Sequence, residues 1–507
     1  MSNSFPRLCK NSVESLRGEY SSATPFPHVV INDICDDREL RSVLDELKQN
    51  LEATFKETDL FKVFQTSDLS GFVPATSEIS KLINLRDSLY SARTRGLIRR
   101  ITGCSELSSR VDCSCNIYPC GGQLLCHDDV IGTRCVSFII YLVDPDDIWE
   151  STDGGGLELY DTRRDTGEPE IEPMIVHIPT WNSMMIFEVK AGITFHAVQE
   201  VRANNKPRIS ISGWLHSTTT PENMDASTLT QLKSCNQFKS RKKLKTINFR
   251  KTDTLLRKSD LSFLKKWINE EYLKSSSMKS IGNAISSYGS VQLKDFLCPH
   301  YALQLNDFLL SESVDQDIST KNIYLSGICD GWECVGPPHK QRYLLLDTTS
   351  RSRSEFGILL SKISVNFLQS TPFQNFLSEL TGKHSSCQSS RIRKFRPGLD
   401  YTVAHNESIG EFVSSTLCFV NNNASEKIAW SSGNYGGFEC YVQDSNTEFC
   451  SLPEVYDVNS NSSDISSVDA SFNTFTIVNM KEGMLRFIKY LSHMASSSRF
   501  DICSDFY

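Results

Sequence analysis

The chain has 507 residues, 22% of them charged and 39% hydrophobic, with a formal net charge of −8 and seventeen cysteines. That length exceeds one ordinary hydrophobic core, so two domains are expected, and the composition excludes a disordered or collagen-like chain. An odd cysteine count without any Cys-x-x-Cys pair excludes a tidy disulfide framework and predicts reduced thiols, in cytoplasm and nucleus.

The first twenty residues are polar and show no apolar secretory stretch. Residues 25–67 read as an opening strand followed by amphipathic helix, because Leu40, Val43, Leu44 and Leu47 recur at helical spacing. Residues 77–101 offer more helix through Leu82, Leu85, Leu89, Leu97 and Ile98. From Val111 the hydrophobic period changes to two, interrupted by Gly121-Gly122, Pro145 and Gly154-Gly155-Gly156. Strands at this density, without strand–helix alternation, predict a barrel or jelly roll supported by N-terminal helices, an α+β domain. The apolar run at 135–143 suits a buried strand and is too short to span a bilayer, so no membrane partner is expected.

Residues 218–258 are rich in Ser, Thr, Asn and Lys and read as a basic flexible linker between a domain at 1–217 and another at 259–507. The stretch 231–266 holds nine Lys and three Arg against two Asp. Within it, residues 239–245 are a candidate nuclear address or direct nucleic-acid contact. Residues 144–172 are the opposite, with eleven acids against Arg163 and Arg164. Residues 259–273 and 291–309 look helical again, mirroring the start of the first domain, and 459–467 read as a flexible loop.

The chemistry concentrates before the linker. His127 and Asp129 stand two apart, so in extended chain both point to one side and Asp128 to the other. His196 follows the buried-strand pattern of residues 182–189, and Arg208 comes twelve positions later, heading the alternating Ile209-Ser210-Ile211-Ser212. Two imidazoles and one carboxylate on one face of a metal leave three positions open, the arrangement of non-haem Fe(II) oxygenases. His127, Asp129 and His196 are therefore candidate iron ligands. Arg208 is the candidate anchor for 2-oxoglutarate, since a guanidinium grips a carboxylate through two parallel hydrogen bonds. Tyr141, fourteen residues after His127, can add a phenolic hydrogen bond to that carboxylate, and Tyr118 is a second candidate. Cys113, Cys115, Cys120 and Cys126 crowd before the motif, but their spacing fits no familiar zinc site.

The second half faintly repeats the first. His405-Asn406-Glu407 parallels His127-Asp128-Asp129, and residues 480–484 align with 189–193. That register sets Phe487 opposite His196 and Arg499 opposite Arg208. Phenylalanine cannot bind a metal, so the second copy is expected to be a barrel without catalysis, used for support or docking.

The flanks carry a resemblance. Leu124-Leu125-Cys126-His127-Asp128-Asp129, Phe138-Ile139-Ile140-Tyr141-Leu142-Val143, Gly154-Gly155-Gly156-Leu157-Glu158-Leu159-Tyr160, Phe195-His196 and Arg208-Ile209-Ser210-Ile211-Ser212-Gly213-Trp214 resemble the ribosomal prolyl-hydroxylase family of 2-oxoglutarate- and Fe(II)-dependent oxygenases. So do Pro25-Phe26-Pro27-His28, Trp267-Ile268-Asn269, residues 336–340 and residues 395–402, which spreads the resemblance over nearly the whole chain. It implies two double-stranded β-helix (jelly-roll) domains with supporting helices, the second lacking the metal site. It implies a prolyl 3-hydroxylase that uses Fe(II), 2-oxoglutarate and O2, with ascorbate as reductant. The implied substrate is the decoding-centre protein of the small ribosomal subunit, with effects on translation termination and accuracy and with termination or mRNA-associated factors as partners. It supports both tyrosines at the cosubstrate. The competing readings are a scaffold of termination or mRNA-decay complexes without chemistry, and an oxygenase acting on another substrate.

Overall fold

Four helices precede the main run of strands: α1 (Lys10–Ser22), α2 (Asp37–Asn50), α3 (Ser80–Leu89) and α4 (Ala92–Thr102). The structure is a computed structural model that describes residues 10–73, 78–219, 223, 226–233, 246–248, 256–311, 323–405, 410–443 and 465–507. Asp36 starts α2 by accepting from the backbone N–H groups of Arg38 and Glu39, and Leu40, Val43, Leu44 and Leu47 form its buried stripe. Ser91 caps α4, which ends at Gly103 with φ of 77°. α1 was not anticipated. The expectation for residues 25–67 omitted a hairpin, and the helix is followed by strands at 54–57 and 61–65.

The strands of this unit are β1 (His28–Asn32), β2 (Thr54–Glu57), β3 (Phe61–Gln65), β4 (Cys113–Tyr118), β5 (Gln123–His127), β6 (Arg134–Tyr141), β7 (Leu157–Leu159), β8 (Ile175–His177), β9 (Ser183–Glu188), β10 (His196–Val198) and β11 (Arg208–His216). They form one antiparallel sheet in the order β1-β9-β6-β11-β4-β3-β5-β10-β7-β8, with β2 added on β3. The sheet curls so that its two edge strands meet, where the His177 and His28 Nε2 atoms lie 3.1 Å apart. β6 shows why the 135–143 run is almost continuously apolar. Val136, Phe138 and Ile140 pack into the core under the helices, while Ile139 and Tyr141 face the second core inside the curl. Truncating fully buried Phe138 to Ala is a core deletion worth roughly 3–5 kcal/mol.

The chain falls into two compact units, the first built chiefly from residues up to Lys233 and the second chiefly from those after it. The expected linker is therefore partly structured. Thr228–Lys233 forms a short helix, α5, and Thr246–Asn248 forms a strand, β12. The basic cluster 239–245 lies outside the described residues.

In the second unit, β13 (Ser290–Leu293), β14 (Trp332–Val335), β15 (Gln341–Leu346), β16 (Cys387–Phe395), β18 (Phe412–Phe419), β21 (Thr474–Met480) and β23 (Arg499–Phe506) form a sheet ordered β13-β21-β18-β23-β16-β15-β14. β12 pairs with β16, β17 (Tyr401–Thr402) pairs with β15, and β19 (Glu439–Gln443), β20 (Ile465–Val468) and β22 (Met484–Ile488) make a second sheet. The succession β13-β21-β18-β23-β16-β15 repeats β1-β9-β6-β11-β4-β3. A local device repeats with it. Asn182, at φ of 58°, exchanges two 3.0 Å side-chain hydrogen bonds with the Cys35 backbone just before β9. Asn473, at φ of 52°, does the same to the Leu297 backbone just before β21. Residues 291–309, expected to be helical, begin instead as the end of β13, because helix Ser275–Tyr288 ends at Gly289 in a left-handed C-cap. Residues 465–467 of the expected flexible loop belong to β20.

Candidate metal centre

His127 ends β5 and His196 opens β10, and the two residues are direct partners in the antiparallel ladder. Their rings lie 4.3 Å apart between centroids. Each ring is aimed by its own backbone: Nδ1 of His127 lies 2.8 Å from the Leu125 carbonyl, and Nδ1 of His196 lies 2.9 Å from that of Thr194. A carbonyl only accepts, so each Nδ1 carries a proton and each Nε2 is the ring atom turned toward the site as a ligand. Both Nε2 atoms converge on Asp129, at 3.1 Å from Oδ1 and 3.3 Å from Oδ2. Among the described residues this is the one group of three with metal-ligating geometry, and the crowded cysteines before it make none.

The expected strand alternation is not what turns Asp129 inward. β5 stops at His127, and Asp129 has φ of 60°, a left-handed conformation that Asp tolerates better than most residues. A turn, not a pleat, carries the carboxylate back to the imidazoles. Ser137 on β6 donates to its Oδ2 at 3.0 Å. The sequence held a sign of this role, since Ser137 is the one aliphatic hydroxyl in the apolar 135–143 run. Burial resists charge on His127, but Asp129 outweighs it and raises the imidazole above its usual pKa. Asp129 is held well below the usual carboxylate range: burial alone would raise it, and the two histidines override that.

Asp128 points away from the imidazoles and is buried. It accepts from the N–H groups of Val130 at 3.4 Å, Gly192 at 3.3 Å and Thr228 at 3.0 Å, so it caps α5 and ties it to the motif. Asp128→Ala is therefore expected to lower thermal stability by about 1–3 kcal/mol through orphaned backbone donors. Asp128→Asn should recover part of that, and both variants, once folded, should still load iron. Thermal melts paired with metal content check this. Loss of iron at unchanged stability would make Asp128 a ligand.

Arg208, at the head of β11, pairs with Tyr118 across the ladder and is almost wholly buried. Its Nε donates to the Gly155 carbonyl at 2.7 Å and its Nη1 to Ser210 Oγ at 3.2 Å. The Tyr118 and Tyr141 rings lie 5.1 and 5.2 Å from the guanidinium carbon. Arg208 Nη2 and Tyr141 Oη are both buried without a hydrogen-bond partner. Burial raises both phenols and Arg208 works against the rise, with Tyr118 reaching about 12. Both therefore stay protonated as donors. Gly155 is required beside them, because its φ is +66° and an added Cβ would lie 2.9 Å from Arg208 Cδ.

Residues 113–216 match the family model described as the 2OG-Fe(II) oxygenase superfamily. Residues 259–507 match that described as oxoglutarate and iron-dependent oxygenase degradation C-term. The chain is 40% identical over 516 residues to the prolyl 3,4-dihydroxylase OGFOD1 of Ostreococcus tauri, covering 99% of this chain and 98% of the relative. The chain belongs to the OGFOD1 prolyl hydroxylase family. It is also 30% identical to the prolyl 3-hydroxylase OGFOD1 of Xenopus laevis, over 74% of this chain and 64% of the relative. Among solved structures, a Pseudomonas putida prolyl-4-hydroxylase covers 40% of this chain and 100% of its own, at 16% identity and a TM-score of 0.30.

As an OGFOD1-family enzyme the protein has the double-stranded β-helix oxygenase fold of curled antiparallel sheets and depends on Fe(II), 2-oxoglutarate and O2. The residues present fit these groups. Two imidazoles and a carboxylate are the donor set of a non-haem Fe(II) centre. The orphaned Arg208 Nη2 and Tyr141 Oη are the two donors that a buried carboxylate would satisfy.

The acidic 144–172 segment is less free than its composition suggested. Lys48 pairs with Asp144, Arg41 with Asp146, and Lys206 with both Asp147 and Asp153. Glu158 is buried and accepts from the Tyr160 hydroxyl.

Proposed function

We propose that this protein is an Fe(II)- and 2-oxoglutarate-dependent prolyl 3-hydroxylase. The observation that carries the proposal is the convergence of His127 and His196 Nε2 on Asp129, in the same curl as a buried arginine with an unsatisfied donor. His127, Asp129 and His196 would hold the iron, and Arg208, Tyr141 and Tyr118 would hold the distal carboxylate of 2-oxoglutarate. When bound, the iron and its cosubstrate supply the oxidising chemistry that inserts one oxygen atom of O2 into a C–H bond. The protein's own part is to fix ligand tautomers, hold the carboxylate with phenols that stay protonated, and keep the site dry. Ascorbate serves as reductant.

We further propose the decoding-centre protein of the small ribosomal subunit as substrate, with consequences for translation termination and accuracy, in cytoplasm and nucleus. A cationic protein substrate accords with the exposed Glu150 and Glu170 that remain in the acidic segment. Catalysis would reside in residues 1–217. The part beyond residue 259 would be a second, non-catalytic jelly roll that supports or docks partners, such as termination or mRNA-associated factors. Two observations support that reading. Arg486 of β22 lies opposite His405 where His196 lies opposite His127, so a guanidinium takes the second histidine's place one residue before the expected Phe487, and Arg499 already has carboxylates of its own in Asp501 at 3.1 Å and Glu439 at 3.8 Å. Asn406 and Glu407 lie outside the described residues.

The test is mass spectrometry of candidate ribosomal peptides after incubation with Fe(II), 2-oxoglutarate and O2. A gain of about 16 Da on a proline is expected, one oxygen atom per turnover. A gain of about 32 Da on the same proline would mean that the second hydroxylation named for the Ostreococcus relative also occurs here. Oxidation on lysine, or on no peptide residue, would overturn the prolyl reading.

A further inference from the structure

Cys104 and Cys135 are 31 positions apart in sequence but are brought side by side by the end of α4 and the start of β6. The backbone sets this up. β11 pairs with β6 at His216 and Arg134, and the segment after α4 runs back along β11, with Ser108 N–H donating to the His216 carbonyl at 2.8 Å and Leu107 bridging to Ser217. Cys104 and Ser105 thus lie beside Cys135. Cys104 belongs to the core under the helices and Cys135 packs against that core, with the Ser105 hydroxyl 3.7 Å from Cys135 Sγ. Cys104 is buried, whereas Cys135 is partly open to solvent beside exposed Ser105. Neither takes part in the metal centre.

We propose that Cys104 and Cys135 form a peroxide-reactive dithiol that closes to a disulfide fastening the end of α4 to β6. The asymmetry of the pair assigns the roles. Cys135 is the sulfur that solvent reaches, and its hydrogen-bonding neighbours lower its thiol below the usual range, while Cys104 stays buried behind it. The Cys135 thiolate attacks one oxygen of a hydroperoxide, the O–O bond breaks, and the leaving oxygen takes a proton to depart as alcohol or water. Cys135 is left as a sulfenic acid. The Cys104 sulfur then attacks the Cys135 sulfur, its proton leaves with the hydroxyl as water, and the S–S bond forms. Two electrons pass from the sulfur pair to the peroxide. The link lies two residues from Ser137, which holds Asp129.

The test uses reduced, full-length protein with a chelator present, so that peroxide is not consumed at iron. It is exposed to hydrogen peroxide, blocked with an alkylating agent and mapped by peptide mass spectrometry. The expected result is a Cys104–Cys135 cross-linked peptide, with loss of about 2 Da for the two hydrogens, reversed by dithiothreitol. In Cys104→Ser a dimedone adduct should accumulate on Cys135, and in Cys135→Ser none should appear on Cys104. The wild-type mapping stands even if a variant fails to fold. Alkylation of Cys135 no faster than that of partly exposed Cys120, or oxidation without a 104–135 link, would overturn the proposal.

Discussion

His127→Ala, Asp129→Ala and His196→Ala should each abolish 2-oxoglutarate turnover and take the iron content from one per chain to none. The expectation rests on the absence of a spare ligand. Among the described residues no other His, Cys or acid completes a three-ligand group, and Asp128, the nearest carboxylate, is committed to three backbone N–H groups. Loss of one ligand also strips the remaining pair of its geometry, because Asp129 is positioned by both imidazoles and by Ser137. Asp129→Asn should fare little better, since an amide brings no charge to the metal. Iron must displace the proton that His127 retains at higher pH than an ordinary imidazole, so loading should tighten as pH rises through that titration. His405→Ala, in the second unit, should leave one iron per chain. Metal analysis of anaerobically loaded protein decides the matter, and a second iron lost on His405→Ala would overturn the non-catalytic reading of that unit.

What the sequence revealed depended on range. The i, i+2 pair, the strand at 135–143 and the helix with Leu40, Val43, Leu44 and Leu47 were legible because period and residue chemistry are local. The left-handed turn at Asp129 was not, since nothing in His-Asp-Asp distinguishes a pleat from a turn. The mechanistic argument from alternation therefore reached Asp129 by the wrong geometry. The capping role of Asp128 was hidden because its partners, Gly192 and Thr228, are distant in sequence. The hairpin at 54–65 was hidden by the stronger helical period before it. The linker reading failed at Thr228–Lys233 because a polar composition says nothing about a buried carboxylate waiting to cap it. The twin Asn182 and Asn473 devices carried no signal at all, as each is a single polar residue before a strand.

Arg208→Ala should weaken 2-oxoglutarate binding far more than iron binding, and the second unit explains why the charge matters more than the residue. A lost charge-assisted pair with a buried carboxylate costs on the order of 2–5 kcal/mol, so the Kd should rise roughly 30-fold or more. Among the described residues Arg208 has only neutral hydrogen-bond and ring partners: the Gly155 carbonyl, Ser210 and two phenols. Its charge is therefore available to a cosubstrate. At the corresponding place Arg499 donates to the Gly437 carbonyl through Nη1, but the residue two along β23 is Asp501 instead of serine, and Glu439 adds a second carboxylate. There the counter-charge is built in. Arg499→Ala should accordingly lower thermal stability, by stranding buried acids, and leave the 2-oxoglutarate Kd of the folded protein unchanged. Arg208→Lys should recover part of the binding, as a point charge without the planar fork. Calorimetric titration of both variants against metal-loaded wild type reads the contrast. Equal losses of iron and cosubstrate in Arg208→Ala, or a weakened Kd in Arg499→Ala, would sink the assignment.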